Sequence, residues 1–339
     1  MKSSPNPWAF LRPGIWRVAA MVVAVAALAC LPLICTTSFA VGFLDPAGTY
    51  AILALGLNLL IGGTGQFSLG HAGFFAIGAF TAGILSSNDT WPFWLAILAA
   101  GIVAGLFGGV LGLPTLRLIG PYFSMATLGF GLLVAEILGT ASWAGGRTGI
   151  TVNYPQAGFY TFDELSFFWV ILGVAIVTFF LVWNLRHGAT GRAFVALRES
   201  DFAARVCGVH LARYRVLAFA ISAVLAGIAG ALFANWNGFL DASNSVTSST
   251  FGLPASVAFV AMVVVGGLDS TFGSILGAVF ITAVQYWLQD RPELAETLYG
   301  ACIVAVLLWA RGGLVGLPAL TRAAWGNLRG RVKAGEAHG

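Results

Sequence analysis

The sequence predicts an all-α protein that crosses a lipid bilayer about eight to ten times as helices, some of them broken or re-entrant. Apolar residues make up 58% of its 339 residues and charged residues only 9%, whereas a soluble domain carries about 25% charged residues. Apolar runs long enough to cross a bilayer recur along the chain. Basic residues are concentrated in alternate connecting segments, as in membrane proteins that follow the positive-inside rule.

Ten apolar runs are candidate spans. The first also resembles the apolar core of a signal peptide, but it is longer than such cores usually are, so we expect it to remain as a span. Runs shorter than roughly 17 residues are candidates for tilted, broken or re-entrant segments. In order, the runs cover residues 18–40, 47–61, 67–85, 93–113, 122–138, 167–183, 216–236, 253–265, 274–288 and 297–310.

The basic residues predict the orientation. If the N-terminus is cytoplasmic and every run crosses, all 17 lysines and arginines except Arg147 and Arg291 fall in cytoplasmic segments. This asymmetry indicates that both termini are inside and that the number of crossings is even. The predicted regions are a cytoplasmic N-terminus at 1–17, a transmembrane domain at 18–311 with a cytoplasmic loop at 184–215, and a cytoplasmic tail at 312–339. The polar stretches 140–166 and 237–250 should lie on the opposite side of the membrane.

The loop at 184–215 is the longest charge-rich stretch of the chain. Ser200 or Asp201 can cap a short helix, and Gly208 can end that helix with a left-handed residue. Such a helix could dock into a groove of a soluble partner. The alternative is a solvated loop whose positive charge only sets the topology. The docking face would be formed by Phe202, Ala203, Ala204 and Val206.

The stretch 58–78 is a second candidate site. Its glycines indicate that one helix ends and another begins there, and irregular backbone at membrane depth is tolerated only against protein or a water-filled cavity. The functional interpretation is a segment that lines or gates a pathway. The alternative is a tight turn with small-residue packing, in which Gln66 and His71 are satisfied by backbone groups. The candidate pathway residues are Asn58, Gly65, Gln66, Ser68, Gly70 and His71.

Glu136 is the one acidic residue within a predicted span. A carboxylate in lipid is costly, so it should face protein or water and is a further pathway candidate. Because it lies near the predicted outer surface, the alternative is that its side chain extends to the interface. A third glycine-rich break at 266–277 is interpreted as a tight inner turn.

Several functions are excluded or disfavoured by the residues. The only lysines are Lys2 and Lys333, and neither follows glycine, so the chain has no Walker A loop. A secondary transporter usually places several ionisable groups in its spans, where this chain offers Glu136 and His71. The four cysteines contain no Cys-x-x-Cys pair and the four histidines are scattered, so neither a disulfide nor a metal site is indicated. The residues fit best a transport subunit that forms a passive path, carries a docking loop and is powered by a separate ATPase. A self-contained secondary transporter or channel and a membrane-embedded enzyme are the alternatives.

Two blocks carry a resemblance to a known family. One is Gly191-Arg192-Ala193 followed by Ala-Leu-Arg-Glu-Ser-Asp-Phe-Ala-Ala-Arg-Val-Cys-Gly-Val at 196–209. The other, at 65–72, has the pattern Gly-Gln-x-Ser-x-Gly-His-Ala. Both resemble the M-type permease of branched-chain amino-acid ABC importers. The resemblance implies that Ala203, Ala204 and Gly208, with Arg198 and Asp201 beside them, form the helix that couples to the ATPase.

The resemblance also implies partners and a location. It implies a homologous second permease, two cytoplasmic ATPases and an extracytoplasmic substrate-binding protein, in a bacterial inner membrane. ATP and Mg²⁺ would then bind the ATPases, with no cofactor or metal in this chain and no nucleic acid. The implied substrate is a branched-chain amino acid, although permeases of this class also serve other amino acids, urea and short amides.

Overall fold

The computed structural model describes residues 40–301, apart from 88–90, 117, 119, 154–155, 158–159, 162–163, 243–249, 289–293, 295–296 and 299. The predicted spans 18–40 and 297–310 lie mostly outside these residues. Both predicted cytoplasmic terminal segments lie wholly outside them.

The described part of the chain is a bundle of ten α-helices with two short two-stranded sheets. A π-helical turn at Ala40–Leu44 leads into the first helix. The helices are α1 Asp45–Thr64, α2 His71–Ser87, α3 Phe93–Thr115, α4 Pro121–Thr140, α5 Glu164–His187, α6 Ala189–Glu199, α7 Asp201–Val206, α8 Leu211–Asn237, α9 Leu253–Gly266 and α10 Thr271–Trp287. The strands are β1 Ile150–Thr151, β2 Gln156–Ala157, β3 Tyr160–Thr161 and β4 Phe239–Leu240.

The prediction of an all-α membrane bundle is confirmed. Among the described residues, five helices are long and apolar enough to cross a bilayer, namely α1, α3, α4, α5 and α8. The apolar helices α2, α9 and α10 are shorter. These eight helices correspond to the eight predicted runs between residues 47 and 288. The largest shifts of a helix start are at α8, which begins at Leu211 rather than at residue 216, and at α2, which begins at His71 rather than at residue 67.

Helix α8 is the centre of the bundle. Its 27 residues pack along α3, α2 and α1. Small residues line these contacts: Gly230 faces the carbonyl of Phe75 on α2 so closely that a Cβ at this position would overlap it, and Gly78 meets Gly227. In a membrane, where burial of apolar surface does not drive helix association, this close approach is what holds helices together.

The two ends of the bundle differ in secondary structure, with short helices at one end and short strands at the other. α6 and α7 connect α5 to α8 at one end, here called the α6–α7 end. At the other end, here called the strand end, β1 pairs antiparallel with β4 through Ile150 opposite Leu240 and Thr151 opposite Phe239. The described parts of the polar stretches 140–166 and 237–250 therefore meet at the strand end, opposite the α6–α7 end.

Candidate coupling and pathway sites

Helix α6 anchors the loop to the bundle. Its buried residues are Gly191, Ala193, Phe194 and Leu197, whose helical spacing places them on one side. Phe194 is 1% exposed. The remaining sides of α6 carry exposed residues such as Arg192 and Glu199. This amphipathic helix positions α7 at the surface of the α6–α7 end.

Helix α7 begins and ends where the sequence predicts. The Ser200 hydroxyl accepts a hydrogen bond from the Ala203 amide at 3.4 Å, which caps the N-terminus. At the C-terminus Gly208 has φ +80°, and the amide of Val209 donates to the carbonyl of Ala204 at 2.9 Å. This is a Schellman arrangement with glycine in the left-handed position.

The exposed side of α7 corrects one expectation. Phe202 and Val206 are 79% and 74% exposed, and Ala203 is exposed beside them. Ala204, which was expected to share the docking face, is 1% exposed and packs against its own chain. The reason is helical geometry, since consecutive residues point about 100° apart whereas residues three and four apart share a face. We call Phe202, Ala203 and Val206 the α7 apolar face.

Asp201 holds α7 to the central helix. Both of its carboxylate oxygens accept hydrogen bonds from Nη2 of Arg215, each at 2.7 Å. Arg215 lies in the first turns of α8. A carboxylate in the first turn of α7 also interacts favourably with the helix dipole. Asp201 therefore ties the start of α7 to the start of α8.

Arg198, expected at the ATPase contact, points into its own chain. Its Nη1 donates to the carbonyl of Gly62 on α1 at 2.8 Å and to Oδ1 of Asp269 at 2.5 Å. Its aliphatic part lies beside Gly65, whose added Cβ would be 3.4 Å from Arg198 Cγ. The guanidinium thus joins α6, α1 and the turn before α10.

The break between α1 and α2 is present and is attached to α4. Helix α1 ends at Thr64, and Gly65 follows with φ +73°. The Ser124 hydroxyl donates to the carbonyl of Phe67 at 2.7 Å, and the amide of Leu69 donates to Oγ1 of Thr127 at 3.1 Å. These bonds satisfy backbone groups that no helix satisfies, and they keep residues 65–70 non-helical.

Gly70 lies at the closest approach of this loop to α4. A Cβ at this position would lie 2.8 Å from the carbonyl carbon of Thr127 and would overlap its oxygen. One turn later, a Cβ on Gly73 would lie 2.9 Å from the Cα of Gly131. The backbone of α4 leaves no room for a side chain at either position.

His71 forms a buried polar link between four segments. Its Nε2 is 2.7 Å from Oγ of Ser222, and its Nδ1 is 3.0 Å from Oγ of Ser68. The Ser222 hydroxyl donates its one hydrogen to the carbonyl of Gly56 at 2.8 Å, so it accepts from His71 Nε2–H. Nδ1 then accepts from Ser68. A neutral imidazole is fully satisfied here, which favours a structural role for His71 and Ser68.

Asn58 and Gln66 differ in their surroundings. Asn58 is fully buried, and its Nδ2 donates to the carbonyls of Leu268 at 3.3 Å and Gly267 at 3.5 Å. Gln66 is half-buried, with Oε1 3.2 Å from the Thr64 hydroxyl. Asn58 therefore holds the turn between α9 and α10, whereas Gln66 stays near the end of α1.

The structure brings six of the seven pathway candidates into the half of the bundle nearer the α6–α7 end and leaves Glu136 apart. Glu136 lies four residues before the end of α4, on the exposed side of that helix, towards the strand end. Leu133, which is 56% exposed, and Ile137 share this side. Glu136 is therefore not part of the cluster around residues 58–71.

Some residues of these sites were missed by sequence reasoning. Ser124, Thr127 and Ser222 are ordinary polar residues within apolar helices, and their partners are distant in sequence. A usable signal was available for them, because serine and threonine within spans usually bond to backbone or to another helix. Asp269 was noted only as part of a tight turn.

Comparison with known proteins agrees with this architecture. A family model described as "Branched-chain amino acid transport system / permease component" matches residues 39–307. The chain belongs to this family. It is a permease-type, multi-pass membrane protein.

Individual relatives support the assignment. The chain is 34% identical over 292 residues to the high-affinity branched-chain amino acid transport system permease protein LivM of Salmonella typhimurium, covering 78% of this chain and 67% of that protein. The same values hold for LivM of Escherichia coli K12. The autoinducer 2 import system permease protein LsrC of Salmonella paratyphi B is 30% identical over 195 residues, 56% of this chain and 53% of that protein. No solved structure matches.

Proposed function

We propose that this chain is a permease subunit of a branched-chain amino-acid ABC importer in the bacterial inner membrane, and that α7 is the helix on which a cytoplasmic ATPase docks. The observation that carries the proposal is the α7 apolar face. Phe202 and Val206 are 79% and 74% exposed on a helix that is capped at both ends. A contiguous apolar patch on an exposed surface is typical of a binding site for a partner.

In this proposal the α6–α7 end faces the cytoplasm. Arg192, Arg198, Arg205, Arg213 and Arg215 are clustered there, whereas Arg147 lies in the connection at the strand end. Positive charge in short connections is retained on the cytoplasmic side. The N-terminus and C-terminus would both be cytoplasmic.

The partners follow from the family. We expect a homologous second permease, two cytoplasmic ATPase subunits and an extracytoplasmic substrate-binding protein. ATP and Mg²⁺ would be bound by the ATPases, and this chain would contribute no cofactor and no catalytic residue. ATPase closure would displace α7, and the Asp201–Arg215 pair would transmit the displacement to α8, which contacts α1, α2 and α3.

The exposed side of α4 is the proposed lining of the pathway. It carries Tyr122, Met125 and Leu133, with Glu136 near the strand end. A carboxylate facing lipid costs roughly 2.5–3.5 kcal/mol at the bilayer centre, so a protein or aqueous surface is the more favourable neighbour. The second permease would supply the other wall, with Glu136 near the entrance.

The test is reconstitution of the four kinds of subunit in liposomes. We expect uptake of radiolabelled leucine, isoleucine or valine that requires both ATP and the binding protein. Phe202→Asp should greatly reduce co-purification of the ATPases, because it places a charge at the centre of the apolar interface. Arg192→Asp, which changes a charge on the exposed side of α6, is the matched control. Normal assembly of the Phe202 variant would contradict α7 docking.

A second candidate substrate is another small polar solute. The observation that favours it is the similarity to LsrC, whose name states import of autoinducer 2. Similar permeases are therefore named for the import of different solutes. Calorimetric titration of the cognate binding protein with amino acids, urea, short amides and autoinducer 2 distinguishes these cases.

A further inference from the structure

The turn between α9 and α10 receives side chains from three other helices. Asn58 of α1 donates to the carbonyls of Gly267 and Leu268. Arg186 of α5 donates to the carbonyl of Leu268 at 3.4 Å and to Oγ1 of Thr271 at 3.1 Å. Arg198 of α6 pairs with Asp269. We call residues 267–270 the hairpin turn.

Among these contacts, the pair of Arg198 and Asp269 connects the turn to the loop that carries α7. Arg198 precedes Ser200, the residue that caps α7, by two positions. The Arg198 side chain is 35% exposed and that of Asp269 is 79% exposed. Pairs so exposed contribute little to folding stability. Loss of the pair should therefore leave the fold intact. Arg198→Ala also removes the hydrogen bond to the carbonyl of Gly62, so an Asp269 variant is the sharper test of the pair alone.

The two helices joined by the hairpin turn, α9 before it and α10 after it, are packed too closely to move separately. A Cβ on Gly277 of α10 would overlap the carbonyl of Met262 on α9, and Gly266 meets Gly273 backbone to backbone. Closely packed interiors transmit displacement rather than absorb it. α10 also packs along α1, and α9 contacts α1, α2 and α4.

We propose that Arg198–Asp269 is a second coupling link, through which displacement of the α6–α7 loop moves α9 and α10 as one unit. In this proposal Arg198 and Asp269 are positioning residues that act within the permease and do not bind the ATPase. The displacement would reach α4, the proposed lining of the pathway, through its contact with α9. The inference rests on the proposed function and assigns a transmission route within it.

The experiment uses the complete importer in liposomes and measures solute imported per ATP hydrolysed. Arg198→Ala, Asp269→Ala and the double variant should each lower this ratio by a similar factor, roughly two- to tenfold, because residues that act as a pair are not additive. Their co-purification with the ATPases should equal that of the wild type. The exchanged pair Arg198→Asp/Asp269→Arg should recover part of the loss. Asp241→Asn removes an exposed acid at the strand end and is the matched control.

The outcomes separate the inference from the function on which it rests. Wild-type liposomes that import nothing in the presence of ATP would contradict the proposed function. Wild-type import together with unchanged coupling in both alanine variants, or additive losses in the double variant, would overturn the link. If Asp269→Ala does not accumulate in the membrane, Asp269→Asn, which keeps the shape and removes the charge, gives the same comparison.

Discussion

Single residues in this protein are constrained most strongly where two backbones meet. Gly70 illustrates this, because the carbonyl of Thr127 occupies the position of any side chain that would be added. The constraint is steric, since the contacting atoms belong to backbone and cannot rotate away. Overpacking of this kind typically costs 1–3 kcal/mol of stability.

We therefore expect Gly70→Ala to lower the thermal stability of the purified permease and to reduce uptake. Gly173→Ala is the matched control, because Gly173 lies on α5 with open space around its added Cβ. Differential scanning fluorimetry and uptake in liposomes are the measurements. Equal melting temperatures and equal uptake for the two variants would show that the approach at Gly70 is not tight.

The structural roles of some residues could be predicted from the sequence, and those of others could not. Ser200 and Gly208 were predicted because a cap and a left-handed end are local features, decided within a few residues. The bond between His71 and Ser222 spans 151 positions, and that between Arg198 and Asp269 spans 71. Such pairs depend on how helices pack, and nothing in the local sequence of either partner specifies the other.

At the scale of elements, helix α7 depends on its C-terminal glycine. Gly208 has φ +80° and open space around it, so a side chain there meets no atom but strains the backbone. A β-branched residue in this conformation costs of order 1 kcal/mol or more. The end of the helix would shift, and with it the α7 apolar face.

Gly208→Val should accordingly weaken co-purification with the ATPases or lower solute imported per ATP. Gly208→Asn should be nearly normal, because asparagine tolerates the left-handed region. If the Gly208→Val variant and the Gly208→Asn variant both coupled like the wild type, the shape of α7 would have no part in coupling.

Helix limits were predicted well at some junctions of a polar break with an apolar run, as at the starts of α3 at Phe93 and α9 at Leu253. The face of a short helix was predicted less well. Ala203 and Ala204 are adjacent and similar, and only the packing of α6 and α8 around the loop decides that Ala204 is the buried one.

At the scale of the whole molecule, the orientation of the two ends can be measured with cysteine labelling. Cys207 is exposed at the α6–α7 end, and Ser142 is exposed at the strand end. Two single-cysteine variants are compared, with Cys30, Cys35 and Cys302 replaced by serine in both. One keeps Cys207, and the other carries Ser142→Cys with Cys207 also replaced by serine. We expect a membrane-impermeant maleimide to label Ser142→Cys in intact cells and to label Cys207 only after permeabilisation.

The physical reason is retention of the basic loop in the cytoplasm. Expression without the ATPases is the control for shielding of Cys207 by a bound partner. Labelling of Cys207 in intact cells, with Ser142→Cys protected, would reverse the orientation.

The caps of α7 have an evolutionary consequence. Both are made by bonds within residues 200–209, so the two ends of this helix are specified locally, whereas its packing on α6 and α8 decides which side is exposed. If α7 docks an ATPase as proposed, mutations that change the imported solute can accumulate in spans that do not contact α7 without altering the ends of the docking helix. Permeases that share one ATPase could diverge in what they import, and a loop could be exchanged between relatives as a module.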